Sequence, residues 1–180
     1  MNKTSRRAFL TGTTLLLGGA IFAALRTSGY RAPIRKSALV TLSAWQYAVV
    51  SSVAQRIAAP DREGDRSIPS VEEVDVVGFI DSYMAQMPPA MRRDLLRFFA
   101  YIEHVAPLRI GLATRFSRLL ANDQDRVLAS IESANEGLLR GGFEGAKSLV
   151  FMGYYRDPRT WKMLRYDGPI VGRPQNGWWQ

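Results

Sequence analysis

Apolar residues recur at three- and four-residue steps from Leu42 onward: Leu42, Trp45, Val49, Val53 and Ile57 fall in one stripe when the chain turns every 3.6 residues. The pattern predicts a first helix that opens at Thr41 or Ser43 and runs to Ala59, where Pro60 stops it. Ser70-Val71-Glu72-Glu73 has the form of a capping box, in which hydroxyl and carboxylate each satisfy a free amide at a helix start. It predicts a second helix reaching about Gln86, with Val74, Val77, Ile80, Tyr83 and Met84 inside. Pro88-Pro89 ends that helix and opens a third over 91–104, whose Leu95, Leu96, Phe98, Phe99 and Ile102 face inward while Arg92, Arg93 and Asp94 face out. After a break at Pro107 a short helix carries Phe116, Leu119 and Leu120. Asn122 then caps another, with Asp123 and Asp125 in its first turn and Val127, Leu128, Ile131 and Leu138 as apolar positions. Gly141-Gly142 separates this from a last long helix over 143–155. No two-residue alternation competes with these stripes, so the expected fold is all-α, an irregular bundle of about five to six helices behind an N-terminal signal or anchor segment.

The last helix delivers Phe151, Tyr154, Tyr155, Trp161 and Tyr166 to a stretch punctuated by Asp157-Pro158 and Asp167-Gly168-Pro169. Proline presets φ and glycine accepts positive φ, so the stretch reads as a helix end, a turn, a short helix through 161–164 and a second turn. Aromatics crowded beside turns make either a packed corner or a sticky surface, because Tyr and Trp join an apolar body to a polar handle. Beyond them, residues 170–180 form a Gly- and Pro-rich tail ending in Trp178-Trp179, which has the character of a docking tail.

Charge changes the picture only once it is located. The chain has 180 residues and a net charge of +8, but seven of its 24 basic residues and none of its 16 acidic ones fall in residues 1–36. Taking those seven away leaves 17 basic groups against 16 acidic ones, so the body is nearly neutral and offers no phosphate-neutralising groove for nucleic acid. Ser5-Arg6-Arg7-Ala8-Phe9-Leu10 is a twin-arginine signal running into the mildly apolar residues 10–25. That run is shorter than the roughly 20 residues of a spanning helix. Thr27 and Gly29 are the best small pair for a cut, and cleavage and retention as a membrane anchor both stay open. The expected organisation is a signal or anchor with a basic flank over 1–36, a helical domain over 37–169 and a flexible tail over 170–180. The absence of cysteine excludes disulfides, thiolate catalysis, iron–sulfur clusters and the C-x-x-C-H haem attachment.

Tyr154-Tyr155-x-Asp157-Pro158-x-x-Trp161 followed by Tyr166-Asp167-Gly168-Pro169, with a helix opening near Leu42, a Pro60-Asp61 loop and the twin-arginine leader, resembles the gluconate 2-dehydrogenase subunit 3 family. These are small subunits of membrane-associated flavin dehydrogenases, and the likeness spans residues 5–169. The resemblance implies a non-catalytic accessory subunit. Its export signal (Ser5, Arg6, Arg7, Phe9 and Leu10) would take a leaderless, FAD-containing dehydrogenase large subunit through the twin-arginine translocase, with or without a cytochrome c subunit. The pair would stay together in the periplasm or on the periplasmic face of the inner membrane. Candidate partner contacts are Tyr154, Tyr155, Asp157, Trp161, Tyr166, Asp167, Trp178 and Trp179.

Candidate chemistry within the chain itself is sparse. Asp61, Glu63, Asp65 and Glu72 superficially resemble a calcium loop, but Arg66 stands where glycine must turn the chain. His104, the sole histidine, lacks the companions that metal binding or a catalytic triad needs and suits a helix-end hydrogen bond. Gly141-Gly142-Phe143-Glu144-Gly145 lies between helices and not after a strand, so it reads as a hinge or packing site, not a phosphate loop. The expectation is no catalytic, cofactor or metal residue. The alternatives are a stand-alone envelope protein anchored by residues 10–25, or an exported enzyme using Glu103, Asp157 or Asp167.

Overall fold

The first apolar stripe forms α1 (Ala44–Ala58), whose Val49, Val50, Val53 and Ala54 are wholly buried while Trp45 and Ile57 pack at its edges. The computed structural model describes residues 29–30, 38–58 and 68–168. Residues 5–10, read above as an export signal, the apolar run 10–25, the Pro60-Asp61 loop with Asp61, Glu63 and Asp65, Pro169 and the tail with Trp178 and Trp179 lie outside the described residues. At the start of α1, the Gln46 side chain reaches back to accept hydrogen bonds from Ser43 N (2.8 Å) and Ser43 Oγ (2.9 Å). This satisfies an amide that the helix cannot.

The capping box forms as expected: Glu73 N donates to Ser70 Oγ at 3.1 Å and Ser70 N to Glu73 Oε2 at 2.5 Å. What it opens is a single turn, not the predicted long helix. Val76 N bonds Val71 O and Asp75 N bonds Glu72 O, the paired closure of a Schellman motif, with Asp75 in the left-handed region at φ 55°. Asp75 then caps α2 (Val76–Gln86) by accepting from Gly78 N at 3.2 Å. One residue thus ends one turn and starts the next helix. The buried face of α2 is Val76, Val77, Ile80, Asp81 and Met84. Tyr83, expected inside, is 40% exposed and stacks on Phe79 at the flank, because the stripe runs through position 81 instead.

Pro89 opens α3 (Pro89–His104), which buries Phe98, Phe99 and Ile102 and leaves Leu95 and Leu96 half-buried. A four-residue helix α4 (Ala106–Arg109) and a 3-10 turn (Phe116–Arg118) follow, the latter placing Phe116 fully in the core. Leu120, expected on the short helix with Phe116 and Leu119, is 79% exposed because it is the extended residue from which α5 (Ala121–Glu132) begins. Asn122 is therefore a residue of α5 and not its cap, and the first amides, of Asp123 and Gln124, bond Leu120 O.

The last helix, α6 (Gly137–Tyr155), runs unbroken through Gly141-Gly142, so the expected separation there does not exist. A Cβ on Gly142 would lie 2.6 Å from Phe98 Cδ2, and one on Gly153 would lie 3.0 Å from both Val76 and Phe79. These glycines let α6 approach α3 and α2 closely. Leu138, read as an apolar position of the preceding helix, is instead on the first turn of α6 and 88% exposed. Helices α1 and α6 pack on each other, and each touches α2, α3 and α5. Their shared core of Val49, Val50, Val53, Phe143, Ala146, Leu149, Val150 and Tyr154 joins the two, each large buried side chain contributing about 1.5–3 kcal/mol. The described residues contain no strand, and the expected all-α bundle stands.

Candidate functional site

The aromatic stretch becomes a corner because Asp157 caps the 3-10 helix Pro158–Leu164. Its carboxylate accepts from Arg159 N at 2.9 Å and from the Arg159 guanidinium at 2.6–3.1 Å. The guanidinium bonds hold the Asp157 carboxyl below the usual carboxylate range, more than desolvation raises it. At the far end Arg165 takes φ 51°, with Arg165 N bonded to Lys162 O and Tyr166 N to Trp161 O. This is a second Schellman closure, and its accompanying hydrophobic contact is the edge-on pair Trp161–Tyr166 at 5.2 Å. Trp161 Nε1 donates to Tyr155 O at 2.7 Å, tying the corner back onto α6.

The alternatives of packed corner and surface are both realised, by different residues. Tyr154 is core: it is 1% exposed, and its hydroxyl donates to Pro69 O at 2.8 Å. Arg156 extends the same attachment, donating to Val74 O at 3.0 Å and lying over the Phe79 ring. Turned the other way are Phe151, Met152, Met163, Leu164 and Tyr166, each exposed by more than a third, with Tyr155 and Trp161 half-buried among them. Phe151 stacks on Tyr155 at 5.8 Å and Trp161 meets Tyr166 edge-on, and the hydrogen bond from Trp161 Nε1 to the Tyr155 main-chain carbonyl joins the two ring pairs into one line. Rigid aromatics on a shell already fixed by capping and hydrogen bonds suit a docking surface, since little rotamer freedom remains to be lost on binding. Asp167 is exposed beside this line.

Two buried carboxylates were not recognised in the helix patterns, though each lies within an apolar stripe, which is the signal that could have revealed them. Asp81, 2% exposed, accepts hydrogen bonds from the amides of Val40 (2.7 Å), Thr41 (2.9 Å) and Leu42 (2.7 Å). It thereby clamps the chain just ahead of α1 to α2. Glu103 is fully buried; its Oε1 accepts from Ser117 Oγ at 2.6 Å and from the Tyr30 hydroxyl, and its Oε2 accepts from Ser117 N at 2.9 Å. Burial first, then the neighbouring Glu103, pushes the Tyr30 phenol up to about 12. Glu103 and Asp157 are thus both held in hydrogen-bond networks, and they occupy separate parts of the fold with Asp167 out on the surface. His104 packs its ring against Trp45 at 5.5 Å.

Between α3 and α6 lies an open apolar groove of about 500 Å³, floored by Leu95, Phe98, Tyr101 and Leu139 and walled by Gly141 and Gly145. Among the described residues no group of acids and histidine is placed to hold a metal ion, and no helix is long and apolar enough to cross a membrane.

A family model described as gluconate 2-dehydrogenase subunit 3 matches residues 44–168, from the start of α1 through the aromatic corner. No curated protein and no solved structure matches the chain.

Proposed function

Since the chain belongs to the gluconate 2-dehydrogenase subunit 3 family, we propose that it is the non-catalytic small subunit of an exported, flavin-dependent dehydrogenase. In this reading the large subunit holds the FAD and oxidises gluconate, a sugar or another alcohol. The small subunit supplies the twin-arginine signal Ser5-Arg6-Arg7-Ala8-Phe9-Leu10 and stays bound to the folded enzyme in the periplasm or at the periplasmic face of the inner membrane. The observation that carries the reading is the pair of linked ring contacts, Phe151 on Tyr155 and Trp161 on Tyr166, whose outer rings Phe151 and Tyr166 are exposed, built inside the family-matched residues on a corner whose backbone is fixed by Asp157, Arg165 and Tyr154. Interfaces take their energy from a few such anchors, each worth about 2 kcal/mol or more when central.

Co-purification of the large subunit with point variants tests the docking surface. Tyr166→Ala and Phe151→Ala should lower the yield of complex while the free subunit melts within about 0.5 kcal/mol of the parent, as surface substitutions do. Tyr154→Ala should instead cost about 3–5 kcal/mol and lose fold and binding together. Full complex yield from the Tyr166 and Phe151 variants would place the interface elsewhere. Export is tested by Arg6→Lys with Arg7→Lys, which should strand both subunits in the cytoplasm. A large subunit that still reaches the periplasm in that variant ends the escort reading.

A further inference from the structure

We propose that the face of the large subunit which takes the aromatic corner is an apolar hollow edged by carboxylates, and that Lys162 and Arg165 meet those acids and steer the two chains together. This rests on the reading of the corner as the docking surface and adds the charge of what docks there.

A 3-10 helix turns once in three residues, so side chains three apart stand above one another, about 6 Å apart along the axis. Over Pro158–Leu164 this period sorts the side chains into rows. Thr160 and Met163 belong to the row against the body: Thr160 is fully buried and donates to Asp157 O at 2.7 Å, and the Met163 sulfur lies 3.9 Å from the Tyr154 hydroxyl. Trp161 and Leu164 make an apolar row, half-buried at Trp161 and exposed at Leu164. Arg159 and Lys162 make a basic row, and Arg165, whose N–H bonds Lys162 O, follows them at the cap. All three cations are exposed, so a line of positive charge runs beside the apolar row.

Arg159 is answered within the chain, by Asp157 at 2.6 Å. The side chains of Lys162 and Arg165 make no hydrogen bond or ion pair among the described residues, whereas Arg56, Arg97, Arg109, Arg126 and Lys147 each have a carboxylate on the body. A partner that covers Leu164 and Tyr166 also takes water from these two cations, which is costly unless it supplies opposite charge. Carboxylates of a folded protein suit the corner better than the headgroups of an anionic lipid surface. Asp167 is exposed next to Tyr166, and a plane of anionic headgroups would set like charge against it, while a folded face can place acids opposite Lys162 and Arg165 alone. Charges at the edge of an interface act chiefly on the encounter, and apolar anchors act on residence.

The test measures association and dissociation rates of the full chain with its large subunit across a salt series. Lys162→Glu with Arg165→Glu should slow association roughly tenfold at low salt, and Lys162→Gln with Arg165→Gln should fall between it and the parent. The differences should close toward about 1 M salt, where the screening length is about 3 Å. Tyr166→Ala should instead speed dissociation at every salt concentration. Both cations are exposed and unbonded, so the charge variants should melt as the parent does. If charge reversal leaves association and its salt dependence unchanged while Tyr166→Ala still weakens the complex, the corner docks on a face that is not acidic, and the proposal is overturned with the docking reading intact. If Tyr166→Ala binds as the parent does, the docking reading falls and the proposal with it. Vesicles of phosphatidylglycerol and phosphatidylcholine give the last outcome: a parent that binds them and is released by charge reversal, with unchanged association to the large subunit, makes the cations a lipid contact and overturns the proposal.

Discussion

Gly141 and Gly142 are neighbours on α6, yet alanine should act on them with opposite sign. Both substitutions relieve the helix of glycine's conformational entropy, a gain of about 0.5–1 kcal/mol. At Gly141 nothing lies within 4 Å of the new Cβ, so Gly141→Ala should keep that gain. At Gly142 the Cβ would sit 2.6 Å from Cδ2, 2.8 Å from Cε2 and 3.0 Å from Cγ of Phe98. Carbon contacts are comfortable at about 3.5–4.0 Å, so ring or helix must move by roughly 1 Å. Overpacking of this kind costs about 1–3 kcal/mol, which outweighs the entropy gain and leaves Gly142→Ala destabilised by up to about 2 kcal/mol. Thermal melts followed by circular dichroism would show this as a fall of about 2–4 °C per kcal/mol, against a rise for Gly141→Ala. Trimming the obstacle in the double variant Gly142→Ala with Phe98→Leu should recover part of the loss, giving a favourable coupling in the mutant cycle. If Gly142→Ala stabilises as much as Gly141→Ala, the close approach of α6 to α3 is wrong. If Gly141→Ala is the damaging one, the helix breaks at the glycine pair after all.

Asp81→Ala should cost about 2–4 kcal/mol, because the amides of Val40, Thr41 and Leu42 lose a shared charged acceptor; urea midpoints would report it, and a loss below about 1 kcal/mol would mean the clamp contributes little. Tyr30 gives a pH signature whose sign follows from its raised pKa. The folded chain holds the phenol proton to about 12 while the unfolded chain releases it near 10, so Tyr30 contributes fully below pH 10 and its contribution is lost as pH climbs toward 12. Comparing the parent with Tyr30→Phe, the stability difference should shrink across that interval, and the parent's spectrophotometric titration should contain one late phenol that the variant lacks. A pH-independent difference would remove Tyr30 from the Glu103 network.

Helix existence was legible from the sequence, while the phase of each buried stripe was less so. Val49 and Val53, Ile80 and Met84, and Phe98, Phe99 and Ile102 went to the core as their spacing demanded. Tyr83 did not, because it stands off the stripe that runs through Ile80, Asp81 and Met84, and Leu120 and Leu138 lie where helices begin and not inside the helices to which they were attached. The glycine pair was taken as a separator and as a hinge or packing site; the helix runs through it, and what remains is the packing, a close approach to Phe98 that no local pattern contains. The Ser70–Glu73 box was recognised and does form, but a box specifies only a start; Asp75, in a conformation few non-glycine residues adopt, ended the turn it began. At the corner the Asp-Pro turn was readable. So, in principle, was the split between Tyr154 and its neighbours, since Tyr154 continues the Phe143–Ala146–Val150 stripe while Phe151 and Tyr155 flank it.

The Asp81 clamp also determines how the bundle responds to being pulled. A tension applied from the N-terminal side passes along the backbone through Val40, Thr41 and Leu42 before it reaches α1. There the force is shared across the chain to α2 by hydrogen bonds that converge on one carboxylate and must give way together. The first turn of α1 is relieved of the stress that would otherwise unwind it from its end, and the strain is spread over α2 and the α6 surface on which it rests. Such an attachment makes tension on the segment ahead of α1 load α1 and α2 together.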